Sequence, residues 1–346
     1  MKFYPMNRKL ILMTAAACLL AGACAKNQAS TTGQDAQKYL QLWMEKYHPG
    51  IAPTEDGLYL LAETPGTGLE WTSEAPYVLV RSTIRTLGGT VSATTDEELS
   101  KQLGTYVKGN YYGPKYQLLG ENYSYAGLDA LVSGMRIGGT RKAVIPSWML
   151  TSSRYNTQKE YLDACTSSTH LIYEITLESF TPDPEETAKT QLSTFIHNNF
   201  SDADNVSYVQ DQEPDGTFWF SSDVSSFKEE DALQTGATIK INYTGRLLDG
   251  TVFDTTLEKV AKDAGIYNAS RTYEPQSVSL ANTYSDITMG GSSSLINGFK
   301  GALYLMHWKG QKANALFTSS HGYSSSGSGS TIPGYASLWF ELEIVE

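Results

Sequence analysis

Residues 236–256 read GATIKINYTGRLLDGTVFDTT. Ile239, Ile241 and Tyr243 alternate with polar residues, the period-two pattern of a half-buried strand. Asp249-Gly250 then breaks the run and suits a tight hairpin turn with positive φ at both central positions. Val252 and Phe253 open the return strand. The stretch is an antiparallel hairpin, and the rest of the chain is organised around it.

Working outward, the chain states one plan twice. Residues 35–47 place Ala36, Leu40, Trp43 and Tyr47 on one helical stripe, and residues 185–199 do the same with Ala188, Leu192, Phe195 and Ile196. The second helix has a clear start, with Asp183 as N-cap, Pro184 at the first position and Glu186 three after the cap. Each helix leads to a short strand after Asp-Gly, at Asp56-Gly57 and Asp215-Gly216. Each copy closes on an alternating strand, Leu171, Tyr173, Ile175, Leu177 and Leu338, Phe340, Leu342, Ile344. A period of about 160 residues means two homologous domains, not a solenoid. The sequence divides into 35–180 and 185–346, joined at 181–184, where Pro182 and Pro184 stop the strand.

The second copy resembles the FKBP-type peptidyl-prolyl cis-trans isomerases. That family's hairpin runs close to YxGxLxDGxxFDxS, and Tyr243, Gly245, Leu247, Asp249, Gly250, Phe253 and Asp254 fill it in order. The family's short helix begins close to VIxGWxxGLxxM, a frame that Leu295-Ile296-Asn297-Gly298-Phe299 opens and Met306 closes. Gly310-Gln311-Lys312, Tyr323, Ile332-Pro333 and a last strand through Phe340 follow in the family's order. The resemblance implies an α+β fold: two FKBP-like domains, each a bent antiparallel sheet wrapped on a short helix and preceded by an N-terminal helix. It also implies an apolar pocket lined by Tyr243, Phe253, Leu295, Ile296, Phe299 and Phe340, with Asp254 and Tyr323 as polar groups at its rim. The backbone N–H of Ile332 would bind a substrate carbonyl.

Some segments depart from the pattern. Gln276 or Val278 stands where the family has an aromatic pocket wall, and Phe299 replaces the usual floor tryptophan. Residues 281–294 are an insertion before the helix, and 324–330, SSSGSGS, lack an apolar turn. In the first copy, Ser82, Ser92 and Ala93 align with Tyr243, Phe253 and Asp254, so that copy reads as degenerate and silent. Its Tyr- and Gly-rich stretch 104–116 reads as an inserted loop.

Composition limits the alternatives. The chain has 346 residues, 40% hydrophobic and 18% charged, enough apolar content for packed cores. Lys plus Arg number 26 against 37 Asp plus Glu, a net charge of −11, which argues against a nucleic-acid partner. Five His and three Cys, with no CxxC, HExxH or GxxxxGK[ST] pattern, offer neither a metal cluster nor a phosphate loop, and no cofactor is implied.

The first 24 residues, MKFYPMNRKLILMTAAACLLAGAC, have a basic start, a short apolar run and small residues, the pattern of a signal peptide. The end at Cys24 resembles a bacterial lipobox, with Cys18 as the weaker alternative and an ordinary cleaved signal as the plain one. The lipobox reading gives a signal over 1–23, a lipidated tether over 24–34 and a membrane anchor. It places the protein in a bacterial envelope, at the periplasmic face of the outer membrane. Prolyl isomerisation needs no nucleophile or metal, only a pocket that favours the twisted, less polar amide. The partners are then proline-containing polypeptides. The rival function is a non-catalytic lipoprotein that binds extended or unfolded chains.

Overall fold

The computed structural model describes residues 32–164, 169–201, 216–234 and 236–345. The signal segment, Cys24 and Cys165 lie outside the described residues. The first domain runs α1 (Thr32–Tyr47), β1 (Tyr59–Thr64), β2 (Tyr77–Thr86), β3 (Val91–Thr94), α2 (Glu97–Gln102), β4 (Lys115–Leu118), α3 (Ala126–Val132), β5 (Thr140–Ile145), α4 (Gln158–Ala164) and β6 (Leu171–Thr181). The second runs α5 (Pro184–Asn199), β7 (Phe218–Ser221), β8 (Thr238–Leu247), β9 (Val252–Thr255), α6 (Glu258–Ala264), β10 (Gln276–Ser279), β11 (Thr288–Met289), α7 (Asn297–Tyr304), β12 (Lys312–Phe317) and β13 (Leu338–Ile344).

The two antiparallel sheets have one topology. The first is ordered β1-β5-β6-β2-β3 with β4 also on β2. The second is ordered β7-β12-β13-β8-β9 with β10 also on β8, and β11 is added outside β10. Between the hairpins and β4 or β10, counterparts stand 161 residues apart, as Thr83 and Thr244 or Tyr106 and Tyr267 do. Thr83 pairs hydroxyls with Thr94 at 2.8 Å, and Thr244 with Thr255 at 2.9 Å. The stretch 104–114 is therefore no insertion. It is the counterpart of 265–275. Val107 N–H donates to the Tyr112 hydroxyl and Asn268 N–H to the Tyr273 hydroxyl, both at 2.9 Å. Tyr106 stacks on Tyr112 and Tyr267 on Tyr273, each pair with centroids 5.3 Å apart.

Each sheet is covered on both faces. Inside the second, α7 buries Phe299, Ala302 and Leu303 in a cluster with Ile241, Phe317 and Leu342. On the other face α5 packs Leu192 and Ile196 on Trp219 and Leu316. Its start is capped as expected: Asp183 accepts from the N–H groups of Glu185 and Glu186. In the first domain α1 packs Leu40 and Met44 on Val144 and Ile172. Tyr47 is exposed rather than part of that stripe, because the buried face ends at Met44. The hairpin turn also differs from a two-residue turn. Gly250 N–H donates to Leu247 O and Leu247 N–H to Thr251 O, both at 2.9 Å, so Leu248, Asp249 and Gly250 form a three-residue loop. Only Gly250 needs positive φ, at 89°, and Asp249 accepts from Thr251 N–H instead.

His170 ties α1 to the first sheet. Ser147 N–H donates to its Nδ1 at 3.0 Å, so the proton sits on Nε2, which donates to Ala36 O at 2.9 Å. Burial lowers its pKa, against a smaller opposing effect of the Ala36 carbonyl. A group with a lowered folded pKa gives stability that is full above the unfolded value, about 6.5, and is lost as pH falls below it. The thermal midpoint should drop between pH 7 and pH 5, and His170→Asn should reduce that slope. Equal slopes in both proteins would contradict the assignment.

Candidate functional site

The mid-strand residue of β8 that faces the inside of the sheet is Gly245. A Cβ there would lie 2.5 Å from the Phe253 ring and 3.0 Å from the Phe340 ring. The missing side chain is the space those rings occupy. Opposite, β9 carries a bulge: Gly245 pairs with Asp254 but Arg246 pairs with Val252, leaving Phe253 as the extra residue. Strict alternation would send Phe253 and Asp254 to opposite faces. The bulge lets both line one pocket.

That pocket encloses about 430 Å³ between the sheet, the start of α7 and the 323–332 loop. It brings together Tyr243, Phe253, Asp254, Leu295, Ile296, Phe299, Tyr323, Ile332 and Phe340. Phe340 is the hub of the rings: its centroid lies 5.0 Å from Phe299, 5.6 Å from Phe253 and 5.7 Å from Phe317. Phe299 meets Tyr243 edge-on at 5.3 Å. Phe317 stacks nearly parallel on Phe340 and the other pairs are tilted or edge-on, arrangements that suit ring quadrupoles.

Val278 does not join them. It is fully buried in the core, across from Ile239 and Met289, because alternation along β10 turns it inward. The wall it was expected to supply comes from the insertion. Residues 281–294 fold back as β11 on β10 and place Met289 in the pocket lining. Ile287 of the same segment is fully buried, and Lys300 Nζ donates to Ser285 O at 3.0 Å.

Ile332 lines the pocket but its N–H is already used, donating to Ser328 O at 3.1 Å. It cannot also bind a substrate carbonyl. Ile296 offers a free backbone donor among the described residues. It stands at the N-cap of α7, lines the pocket, and has no acceptor for its N–H among the described residues. Helix starts leave such N–H groups unpaired by geometry.

The polar edge centres on Asp254. The Tyr243 hydroxyl donates to its Oδ2 at 2.7 Å, Thr255 N–H donates to Oδ1 at 2.9 Å, and the Arg271 guanidinium caps Oδ1. Burial first, then the Asp254 charge, pushes the Tyr243 phenol well above its ordinary range, so it remains a donor. Burial and Asp254 likewise raise Tyr323, whose hydroxyl has no partner among the described residues. Arg271 was not read from the sequence. Its signal is the duplication, since Asn110 holds the same place in the first copy.

In the first domain Ser82, Ser92 and Ala93 take the places of Tyr243, Phe253 and Asp254, and Ile84 takes that of Gly245. The rings are gone, and a side chain stands where the pocket would open. A larger hollow of about 1120 Å³ lies on the opposite face of the second sheet. Its lining mixes polar residues such as Asn242, Thr244, Lys312 and Glu341 with apolar ones such as Val224, Leu257 and Val260, and lacks the ring cluster of the smaller pocket. Among the described residues no group of three His, Cys, Asp or Glu is placed to hold a metal ion.

No protein-family model matches the chain. Over 110 residues, 32% of its length, it is 33% identical to the peptidyl-prolyl cis-trans isomerase FKBP15-2 of Arabidopsis thaliana. The chain spans about half, 53%, of that relative. Similar solved structures include the three FKBP domains of wheat FKBP73, at 14% identity and TM-score 0.27, over 84% of this chain and 95% of that one. FkpA from Escherichia coli is similar at 16% identity and TM-score 0.29, over 52% and 75%. That likeness in sequence extends over about a third of the chain.

Gly245→Ala should disturb the pocket directly, because the added methyl meets ring atoms on both sides. Overpacking of this kind costs about 1–3 kcal/mol. A denaturant midpoint and near-ultraviolet circular dichroism unchanged from wild type would show that the rings do not need this space.

Proposed function

We propose that the chain is a peptidyl-prolyl cis-trans isomerase acting on proline-containing polypeptides, with the activity in the second domain. One observation carries the reading: a 430 Å³ aromatic pocket whose edge holds two donors with no acceptor among the described residues, the Ile296 N–H and the Tyr323 hydroxyl.

The chemistry follows from the amide. A planar X-Pro bond is resonance-stabilised, with a barrier of about 18–20 kcal/mol to rotation. Halfway round, the bond has lost resonance and polarity. A ring-lined pocket that excludes water therefore favours the twisted form over the planar one, which is differential binding. Phe253, Phe299, Phe340 and Tyr243 supply the enclosure, with Met289 and Ile332 completing its wall. The Ile296 N–H holds a neighbouring carbonyl while the bond turns, and the Tyr323 hydroxyl is a second donor. Asp254 locks Tyr243 in place and is itself fixed by Arg271. Asp254 thus acts mainly through Tyr243, and no bond is made or broken.

In full-length protein, Asp254→Ala should lower kcat/KM about ten- to a hundredfold, the equivalent of about 1–3 kcal/mol. It should also cost stability, since the buried Tyr243 hydroxyl loses its acceptor. Phe253 is half-buried, so Phe253→Ala should cost activity more than stability. The double variant should retain no activity if the first domain is silent. A protease-coupled X-Pro peptide assay reads all three. A wild-type chain that binds proline peptides without accelerating them would leave a non-catalytic chain-binding protein instead.

The same proposal places the protein in a bacterial envelope, acylated at Cys24 and facing the periplasm from the outer membrane. The basic start, the apolar run and the small residues before Cys24 support this. Cys24→Ser should move the protein from the membrane fraction to the soluble one. Release by Cys18→Ser instead would shift the acylation site.

A further inference from the structure

The pocket's outer wall is a loop of unpromising sequence, Ser324-Ser325-Ser326-Gly327-Ser328-Gly329-Ser330-Thr331. Such a Ser/Gly run loses much conformational entropy on ordering and has no apolar side chain of its own to repay it. It is nevertheless folded. Ser328 and Ile332 form an antiparallel bridge, with Ser328 N–H donating to Ile332 O at 2.8 Å. Of the tip between them, Gly329 and Thr331 line the pocket.

Both ends of this small hairpin are held from the first domain. At the tip, Tyr111 N–H donates to Ser330 O at 2.9 Å, and the Tyr111 side chain packs on the second domain's core cluster. The Tyr111 hydroxyl turns back to its own loop, donating to Pro114 O at 3.1 Å. At the base, Tyr335 sits edge-on to two rings of the first domain, Tyr77 at 5.6 Å and Tyr116 at 5.5 Å. Tyr335 has φ of 63°, a backbone region unfavourable to a tyrosine, so its ring contacts offset a local cost. A third contact, Lys108 Nζ to Asp263 O at 3.3 Å, joins the loops beside the hairpin turn.

We propose that the first domain, silent itself, is a positioning element for the second: Tyr77, Tyr111 and Tyr116 hold the 327–335 rim closed over the pocket and so set its affinity for a proline-containing peptide. Of these, Tyr111 lies on the loop that is the duplicate of the one carrying Arg271 in the second domain, while Tyr77 and Tyr116 stand on β2 and β4. In the second copy that loop orders the pocket of its own domain, and in the first it orders the pocket of its neighbour. The inference rests on the isomerase reading of the pocket.

The test uses full-length protein and the double variant Tyr77→Ala/Tyr116→Ala, which leaves every residue of the second domain in place. Losing two ring contacts should raise KM for an X-Pro tetrapeptide by roughly tenfold, with a much smaller change in kcat. Amide exchange at Ser328 and Ile332 should quicken, while amides of α7 stay protected. Tyr77→Phe/Tyr116→Phe keeps the rings but removes the Tyr77 hydroxyl that is hydrogen-bonded to Tyr335, and should fall between wild type and the alanine variant. A wild-type chain that accelerates no X-Pro peptide would sink the isomerase reading. The positioning role is overturned separately, by a Tyr77→Ala/Tyr116→Ala protein whose KM and rim exchange both match wild type.

Discussion

The candidate pocket depends on one absence, the missing side chain at Gly245. The Phe253 and Phe340 rings meet over that backbone, and Phe340 in turn carries Phe299 and Phe317. Close packing in protein interiors leaves little slack, so a volume removed at one point must be filled by its neighbours. Here the neighbours are rings on four different elements, and the hollow they do not fill is the site. The bulge at Phe253 is the second half of the arrangement, since it turns an aromatic wall and a carboxylate toward the same space.

The first domain shows what happens to the same scaffold without that absence. Its sheet order, its threonine hydroxyl pair and its stacked tyrosines match those of the second. These contacts belong to the fold. The positions that differ are those of the pocket: Ile84, Ser82, Ser92 and Ala93 for Gly245, Tyr243, Phe253 and Asp254. A duplicated domain can lose its ring-lined hollow and keep its stability, because the sheet is held by backbone pairing and by the opposite core. The surface left free for other use includes Tyr77, Tyr111 and Tyr116, which reach the neighbouring domain.

Much of this was legible in the sequence. Alternation in 238–247 and 338–344 and the Asp183-Pro184 helix start give the elements, and the family resemblance carried by the hairpin and helix motifs implied ten site residues, nine of which line the pocket. These signals are local: each follows from a period or a short motif. The errors have a common cause. Gln276 or Val278 was read as pocket wall from the family's pattern over 275–280, yet the face Val278 turns to is set by pairing with Ile239 and Met289. Met289 was hidden in a segment read as an insertion. The Ile332 N–H was read as free because the bridge to Ser328 closes only in the folded loop.

By itself, then, the sequence determined the duplication, because helical and strand periodicities are written along the chain, and its resemblance to a known family implied the α+β class and the ring-forming residues. Only the tertiary structure decided which donor is free, which segment supplies the last wall and what holds the Ser/Gly rim. Those depend on partners far away in sequence: Arg271 on Asp254, Met289 on Val278, and Tyr111 of one domain on Ser330 of the other. A hydrogen-bond donor is free or used only relative to what folding brings beside it, and no local pattern records that neighbour.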